Sequence, residues 1–127
     1  MTVLLIDDES AIRNVLIRTI AAAGHYVLEA ATGAEAILLA RSFSGPIHLA
    51  VIDQSLEEGR KGVDVAAELA DIQPGIRLLL ISGTLEEEVL GRLPRTDIAL
   101  DFLQKPFTAR MLLDKIRRML AHYDRCW

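Results

Sequence analysis

The chain is 127 residues long, 51% of them hydrophobic and 25% charged, with a formal net charge of −4 at pH 7. Lys and Arg are scattered rather than gathered into a basic stripe, no apolar run approaches the roughly 20 residues of a membrane-spanning helix, and the single Cys126 excludes an internal disulfide. We therefore expect one compact domain, a cytoplasmic location, and neither nucleic acid nor a membrane as a direct partner.

Apolar runs alternate with segments of helical periodicity along the chain. The runs rich in Val, Ile and Leu predict five strands, at residues 2–6, 26–30, 49–52, 76–81 and 98–103. The segments that follow predict five helices, at residues 11–23, 33–41, 63–72, 85–93 and 108–121. Gly24 is expected to end the first helix and Thr108 to cap the last. Residues 1–121 are thus predicted to form the domain, and residues 122–127 a C-terminal tail.

The predicted strands are continuously apolar, which is typical of a parallel sheet covered on both faces. Strict alternation of strand and helix, joined by right-handed crossovers, predicts an α/β fold with helices on both sides of the sheet. The expected architecture is a flavodoxin-like three-layer sandwich whose five-stranded sheet has the order 2-1-3-4-5. In that order, ligands bind beyond the carboxyl ends of the first and third strands.

Polar residues collect at this edge of the predicted sheet. Asp7 and Asp8 follow the first strand, Asp53 the third and Ser82 the fourth, and Lys105 lies just beyond the fifth. Three converging carboxylates would raise one another's pKa and destabilise the fold unless a cation neutralised them. Mg²⁺ prefers oxygen ligands, so it suits carboxylates, a backbone carbonyl and a phosphate-like oxygen.

Each of these residues also has an ordinary structural explanation. Asp8 and Glu9 can favour the start of a helix. Asp53 and Ser82 can belong to turns, and Lys105 can be a solvated loop charge. Because all of them are expected at one edge of one sheet, we favour a shared site over separate explanations.

The chain resembles the receiver domain of two-component response regulators over residues 2–121. The resemblance is carried by LLIDDE at the first strand, LAVID at residues 49–53, LLLISGT at residues 78–84 and DFLQKPF at residues 101–107. Each motif is weak alone. Their order and spacing along one βα-alternating chain make the resemblance specific.

The resemblance implies that Asp53 accepts a phosphoryl group from a phosphohistidine on a histidine kinase or a histidine phosphotransfer protein. It implies a Mg²⁺ ion held by Asp8 directly, by Asp7 through water, and by Asp53 and the carbonyl of Ser55, with Lys105 as a second positive charge. Such a domain is not an enzyme but a signalling module with a downstream protein target. A phosphorylation-dependent dimer is a further candidate.

The resemblance also implies a conformational switch. Ser82 matches the hydroxyl that turns toward the acyl phosphate, and Phe102 matches the aromatic switch position, so phosphorylation is expected to shift a pre-existing equilibrium. For Phe102, a place in the core is an equally good explanation. Lys105-Pro106 matches a peptide bond that is often cis in the family, and Ser55 and Thr84 match positions that tune access of water.

The chain departs from the family pattern after Asp53. Family members commonly carry a Met-Pro pair and then a Gly, whereas this chain reads DQSLEEGRKG, with neither Met nor Pro and one extra residue before Gly62. We expect a loop that is more polar and more mobile, which bears on the position of the Ser55 carbonyl.

Three alternatives stay open at this point. The receiver can be part of a longer protein, such as the C-terminal part of a hybrid sensor kinase. The chain can be a small magnesium-dependent phosphatase-like enzyme, since an Asp nucleophile, Mg²⁺ and a lysine also serve hydrolysis, although one domain without a cap encloses little substrate. It can also be a degenerate receiver that only binds partners, against which the intact set of acids and lysine argues.

Overall fold

The fold is built on a five-stranded parallel sheet in the order β2-β1-β3-β4-β5. A computed structural model describes residues 1–56, 61–83 and 99–125, with side chains up to residue 121. The strands are β1 (Thr2–Ile6), β2 (Tyr26–Ala30), β3 (Leu49–Asp53), β4 (Arg77–Ser82) and β5 (Ala99–Gln104). The predicted fold class and strand order are confirmed; β3, β4 and β5 end slightly later than predicted.

The described residues contain four helices: α1 (Ser10–Ala22), α2 (Gly33–Ser42), α3 (Gly62–Ile72) and α4 (Ala109–Arg125). The predicted helix at residues 85–93 lies outside the described residues, as do Thr84 and residues 126–127. The last helix ends at Arg125, so the predicted end at residue 121 was too early. Residues 122–125 contain neither Gly nor Pro, so nothing in that segment stops a helix. None of the helices described here is both long and apolar enough to cross a bilayer.

The predicted helix punctuation is confirmed at both positions. Gly24 follows α1 with a φ of 98°, a conformation that costs glycine little because it has no Cβ. The Thr108 hydroxyl accepts a hydrogen bond of 3.1 Å from the backbone N–H of Met111, in the first turn of α4. These local features set where each helix begins or ends, and so how it meets the sheet.

The core has two halves, one on each face of the sheet. On β1, the side chains of Leu4 and Ile6 point to one face, and those of Val3 and Leu5 to the other. The first half is closed by α2 and α3, with Ala36, Ala40, Val65 and Leu69 among its buried residues. The second half is closed by α1 and α4, with Leu16, Ile20, Leu112 and Ile116. This arrangement is the predicted three-layer sandwich, and it explains why the strands are apolar throughout.

Parallel pairing brings the carboxyl ends of the strands to one edge. Ile6 at the end of β1 lies opposite Ile52 in β3, and Asp53 lies opposite Ile81 in β4. Because β1 and β3 are neighbours, residues that follow β1 are placed beside the last residue of β3. Ser82 pairs in register with Gln104 of β5, so Lys105 reaches the same edge.

Gly62, the first residue of α3, packs directly against the end of β3. A Cβ added there would lie 2.7 Å from the carbonyl oxygen of Asp53 and 2.9 Å from the Cα of Gln54. Both contacts are with backbone, which moves less readily than a side chain. We expect Gly62→Ala to lower the free energy of unfolding by about 1–3 kcal/mol, measured by urea denaturation. Gly83→Ala is the control, because a Cβ there meets nothing within 4 Å; equal losses in the two variants would contradict the steric argument.

Candidate functional site

Three carboxylates converge at the carboxyl edge of the sheet. Oxygen atoms of Asp7, Asp8 and Asp53 all lie within 4.8 Å of one another. Asp7 and Asp53 are each only 5% exposed, and Asp8 is half-buried. The structure therefore brings together the acids that the sequence places after the first and third strands.

Asp7 is fixed by hydrogen bonds on three of its groups. Its backbone N–H donates to the carbonyl of Ala30 at 3.1 Å, and its carboxylate Oδ1 accepts from the backbone N–H of Glu9 at 2.9 Å. Its own carbonyl oxygen accepts from Arg13 at 2.8 Å.

Helix capping, the ordinary explanation for Asp8 and Glu9, finds no support in the structure. Glu9 is the N-cap of α1 but makes no side-chain capping bond, and the first turn of α1 carries no acid.

Arg13 was missed by sequence reasoning. Its guanidinium donates to the Asp7 carbonyl from α1, and its Nε lies 3.5 Å from Oε1 of Glu29 on β2. It therefore ties the segment that carries the acids to both α1 and the edge strand. An arginine on an amphipathic helix ordinarily indicates a solvated face, so nothing in the sequence distinguished this one.

Asp53 is held between Lys105 and the backbone that follows it. The Nζ of Lys105 lies 3.2 Å from Oδ1 of Asp53, and the backbone N–H of Ser55 donates to the same oxygen at 3.2 Å. The lysine side chain is 41% exposed and the aspartate side chain 6%, so the ion pair sits at the mouth of the site. The Lys105-Pro106 peptide bond is cis.

Ser82 is the last residue of β4, and Phe102 lies within β5. Ser82 is buried, and its carbonyl accepts from the backbone N–H of Lys105 at 2.9 Å, which joins the ends of these two strands. Phe102 is half-buried and packs against the core half under α2 and α3. A switching role for Ser82 and Phe102 stays a prediction.

Burial raises the pKa of the Asp7 carboxyl above its ordinary value of 3.8. The N–H of Glu9 and the ammonium of Lys105 oppose this rise in pKa, while the neighbouring charges of Asp53 and Asp8 add to it. The folded chain thus holds a proton on Asp7 more tightly than the unfolded chain does. Ionising Asp7 therefore lowers the stability of the folded chain. A positive charge placed among the three acids would offset this loss of stability.

The metal-free chain is expected to be more stable at pH 7 as Asp7→Asn. Because the folded pKa of Asp7 is raised, stability falls as pH rises from 3.8 through that raised pKa, and the loss persists at neutral pH. The amide keeps the oxygen that accepts from Glu9 and removes the charge. Thermal unfolding in EDTA should give a higher melting temperature at pH 7 and a smaller difference below pH 3.8. Asp64→Asn, at an exposed carboxylate, should bring no such gain; an unchanged or lower melting temperature for Asp7→Asn would contradict the argument.

The donor set fits a hard divalent cation. It consists of carboxylate oxygens close enough together to share one ion, with burial and mutual repulsion to be relieved. Oxygen ligands of this kind suit Mg²⁺ rather than a metal that prefers sulfur or imidazole. His48 lies at the opposite edge, where its Nδ1 accepts from the backbone N–H of Thr2 at 3.0 Å, and His25 immediately precedes β2 there.

Comparison with known proteins assigns nearly the whole chain to the family that its motifs resemble. Residues 3–117 match the family described as the response regulator receiver domain. The sensor kinase CckA of Brucella abortus is 33% identical over 123 residues, which cover 97% of this chain but 13% of that kinase. The response regulator receiver protein CpdR of the same organism is 28% identical over 120 residues, covering 93% of this chain and 95% of that protein.

Solved structures agree with this assignment. A crystal structure of the receiver domain from the hybrid histidine kinase CckA superimposes with a TM-score of 0.79 at 28% sequence identity, covering 94% of this chain and 99% of that one. The match therefore covers most of the fold. The chain belongs to the response regulator receiver domain family, whose members act as phosphoacceptors in two-component signalling.

Proposed function

We propose that Asp53 is the phosphoacceptor of this receiver. The observation that carries the proposal is the convergence of Asp7 and Asp8 on Asp53, with the Lys105 ammonium 3.2 Å from its carboxylate. Phosphoryl transfer needs positioning and neutralisation of spreading negative charge more than covalent assistance. A buried carboxylate between acidic metal ligands and a lysine meets both needs.

Receiver domains bind Mg²⁺ at an acidic pocket, and the residues that would hold it here are Asp7, Asp8, Asp53 and the carbonyl of Ser55. When bound, the ion supplies positive charge to the phosphoryl oxygens and offsets the repulsion among the acids. Lys105 holds the acceptor oxygen and adds a second positive charge. The Ser55 N–H keeps the carboxylate of Asp53 in one orientation.

In the transfer step, a carboxylate oxygen of Asp53 attacks the phosphorus of a phosphohistidine. The bond between phosphorus and the imidazole nitrogen breaks, the electron pair stays on that nitrogen, and the nitrogen takes up a proton from solvent. A bond from phosphorus to the Asp53 oxygen forms. The hydroxyl of Ser82, the last residue of β4, is the proposed partner of the new phosphoryl group, and Phe102 is the proposed reporter of that contact.

Receiver domains interact with histidine kinases or phosphotransfer proteins and are typically non-catalytic. For this chain we propose such a donor, a downstream protein target and, after phosphorylation, a second copy of the chain as partners, all in the cytoplasm. Residues 1–121 are the proposed receiver domain. The presence of all three acids and the lysine favours an active phosphoacceptor over a degenerate receiver.

The experiment that tests the proposal is phosphorylation by a small donor. The chain is incubated with acetyl phosphate in Mg²⁺ or in EDTA, and its intact mass is measured. We expect a gain of one phosphoryl group that depends on Mg²⁺. No gain with either acetyl phosphate or phosphoramidate, in a chain shown to be folded, would refute the function.

A further inference from the structure

Gln54, the residue directly after Asp53, is almost fully buried, with 6% exposure. Its backbone N–H donates to the carbonyl of Ile81 at 2.9 Å, and its carbonyl accepts from the N–H of Gly62 at 3.0 Å. Its side-chain Oε1 accepts a buried hydrogen bond of 2.9 Å from the N–H of Val63. The polar side chain of Gln54 thus links the end of β3 to the start of α3.

The start of α3 depends on this contact. The first N–H groups of a helix have no partner within the helix and need an acceptor from elsewhere. The N-cap of α3 is Lys61, which has extended backbone angles but makes no side-chain capping bond. Gln54 therefore does for Val63 what a Ser or Asp at the N-cap ordinarily does.

The same contact closes the loop in which this chain departs from its family. Ser55 and Lys61 form an isolated antiparallel bridge, and Gly62 packs on the carbonyl of Asp53. The two ends of the loop are therefore joined backbone to backbone beside the phosphoacceptor. The structure places Gln54 at the centre of that junction, since it bonds to β4 and to two residues of α3.

We propose that Gln54 is a positioning residue for phosphoryl transfer: by bonding to α3, it holds the backbone of residues 53–55 so that the Asp53 carboxylate keeps its orientation. The inference rests on the proposed role of Asp53. The route is short, because the Ser55 N–H that donates to Asp53 Oδ1 belongs to the peptide that follows Gln54. If residue 54 shifts, the backbone N–H of Ser55 and the carbonyl of Ser55 shift with it.

The first variant is Gln54→Met, which keeps the length of the side chain and removes the acceptor. Phosphorylation by acetyl phosphate in saturating Mg²⁺ should become roughly tenfold slower at saturating donor, because small misplacements of a reacting group are costly. The donor concentration for half-maximal rate should stay within about twofold, since acetyl phosphate is not expected to contact Gln54. The melting temperature should fall by roughly 4 °C, because the Val63 N–H loses its partner.

The second variant separates positioning from simple capping. Lys61→Ser places a good capping residue at a position that already has the extended N-cap conformation, so its hydroxyl can take over the first-turn N–H groups of α3. In Gln54→Met with Lys61→Ser, we expect the melting temperature to recover and the phosphorylation rate to remain low. Lys61→Ser alone should phosphorylate as fast as the native chain.

Two results would overturn the inference. If Gln54→Met phosphorylates at the native rate, residue 54 does not position the acceptor. If the double variant regains both the melting temperature and the rate, Gln54 is only a helix cap. A native chain that takes up no phosphate would instead refute the proposed function itself, so the two failures are told apart by the native control.

Discussion

Asp53→Asn is expected to take up no phosphate from acetyl phosphate in the presence of Mg²⁺, while the native chain gains one phosphoryl group. The amide has the size of the carboxylate but lacks the negatively charged oxygen that attacks phosphorus. It also removes one of the three acids that would hold the ion. The loss should therefore be complete on the timescale over which the native chain is fully labelled, with intact mass as the measurement.

Asp101→Asn is the matched control for that experiment. Asp101 is also a strand aspartate paired with a lysine, since its Oδ1 lies 3.3 Å from the Nζ of Lys115. It is not part of the acid cluster formed by Asp7, Asp8 and Asp53. It should be labelled like the native chain. Labelling of Asp53→Asn at the native level would show that the phosphoryl group goes elsewhere.

Asp8→Ala should lose most of the response to Mg²⁺. An ion that binds only the folded chain raises its stability in proportion to the logarithm of ion concentration over dissociation constant. If Asp8 is a direct ligand, as proposed, its removal should weaken binding at least about tenfold, which corresponds to ~1.4 kcal/mol. The measurement is the melting temperature of each chain as Mg²⁺ is titrated, together with the Mg²⁺ dependence of labelling.

Glu9→Ala is the control for the titration, because Glu9 is adjacent in sequence, exposed, and outside the acid cluster. Its Mg²⁺ response should match that of the native chain. A response retained in full by Asp8→Ala would remove Asp8 from the proposed metal site. Equal losses in both variants would indicate a general charge effect rather than ligation.

The sheet and the acid edge could be predicted from sequence because their causes are local. A strand buried on both faces must be apolar at every position, so β1, β3 and β4 are visible as runs of Val, Ile and Leu. Parallel strands place their carboxyl ends at one edge, so the polar residues after those runs had to be near one another once the order was known. Asp7, Asp53 and Lys105 were identified in this way, and the structure brings them together.

Arg13 and Gln54 could not be identified in this way. Each looks like an ordinary helix or loop residue in the sequence, and each acquires its role from a partner that is distant in the chain or in another element. Arg13 reaches Glu29 on β2, and Gln54 reaches the first turn of α3 across the loop. The loop expected to be mobile includes residues 57–60, which lie outside the described residues, so its mobility stays a prediction. Its described ends, Ser55 and Lys61, form an isolated antiparallel bridge.

The sequence by itself determined the order of strands and helices, the two buried faces of the sheet, and the residue types available at its carboxyl edge, because apolar periodicity and helix punctuation depend only on neighbouring residues. Only the tertiary structure decided how those residues are held. The distance from Lys105 to Asp53, the raised pKa of Asp7 and the attachment of Gln54 to α3 each arise from groups that meet only when the chain is folded. Contacts between residues that are far apart in the chain supply these effects, and such contacts have no signature in a short stretch of sequence.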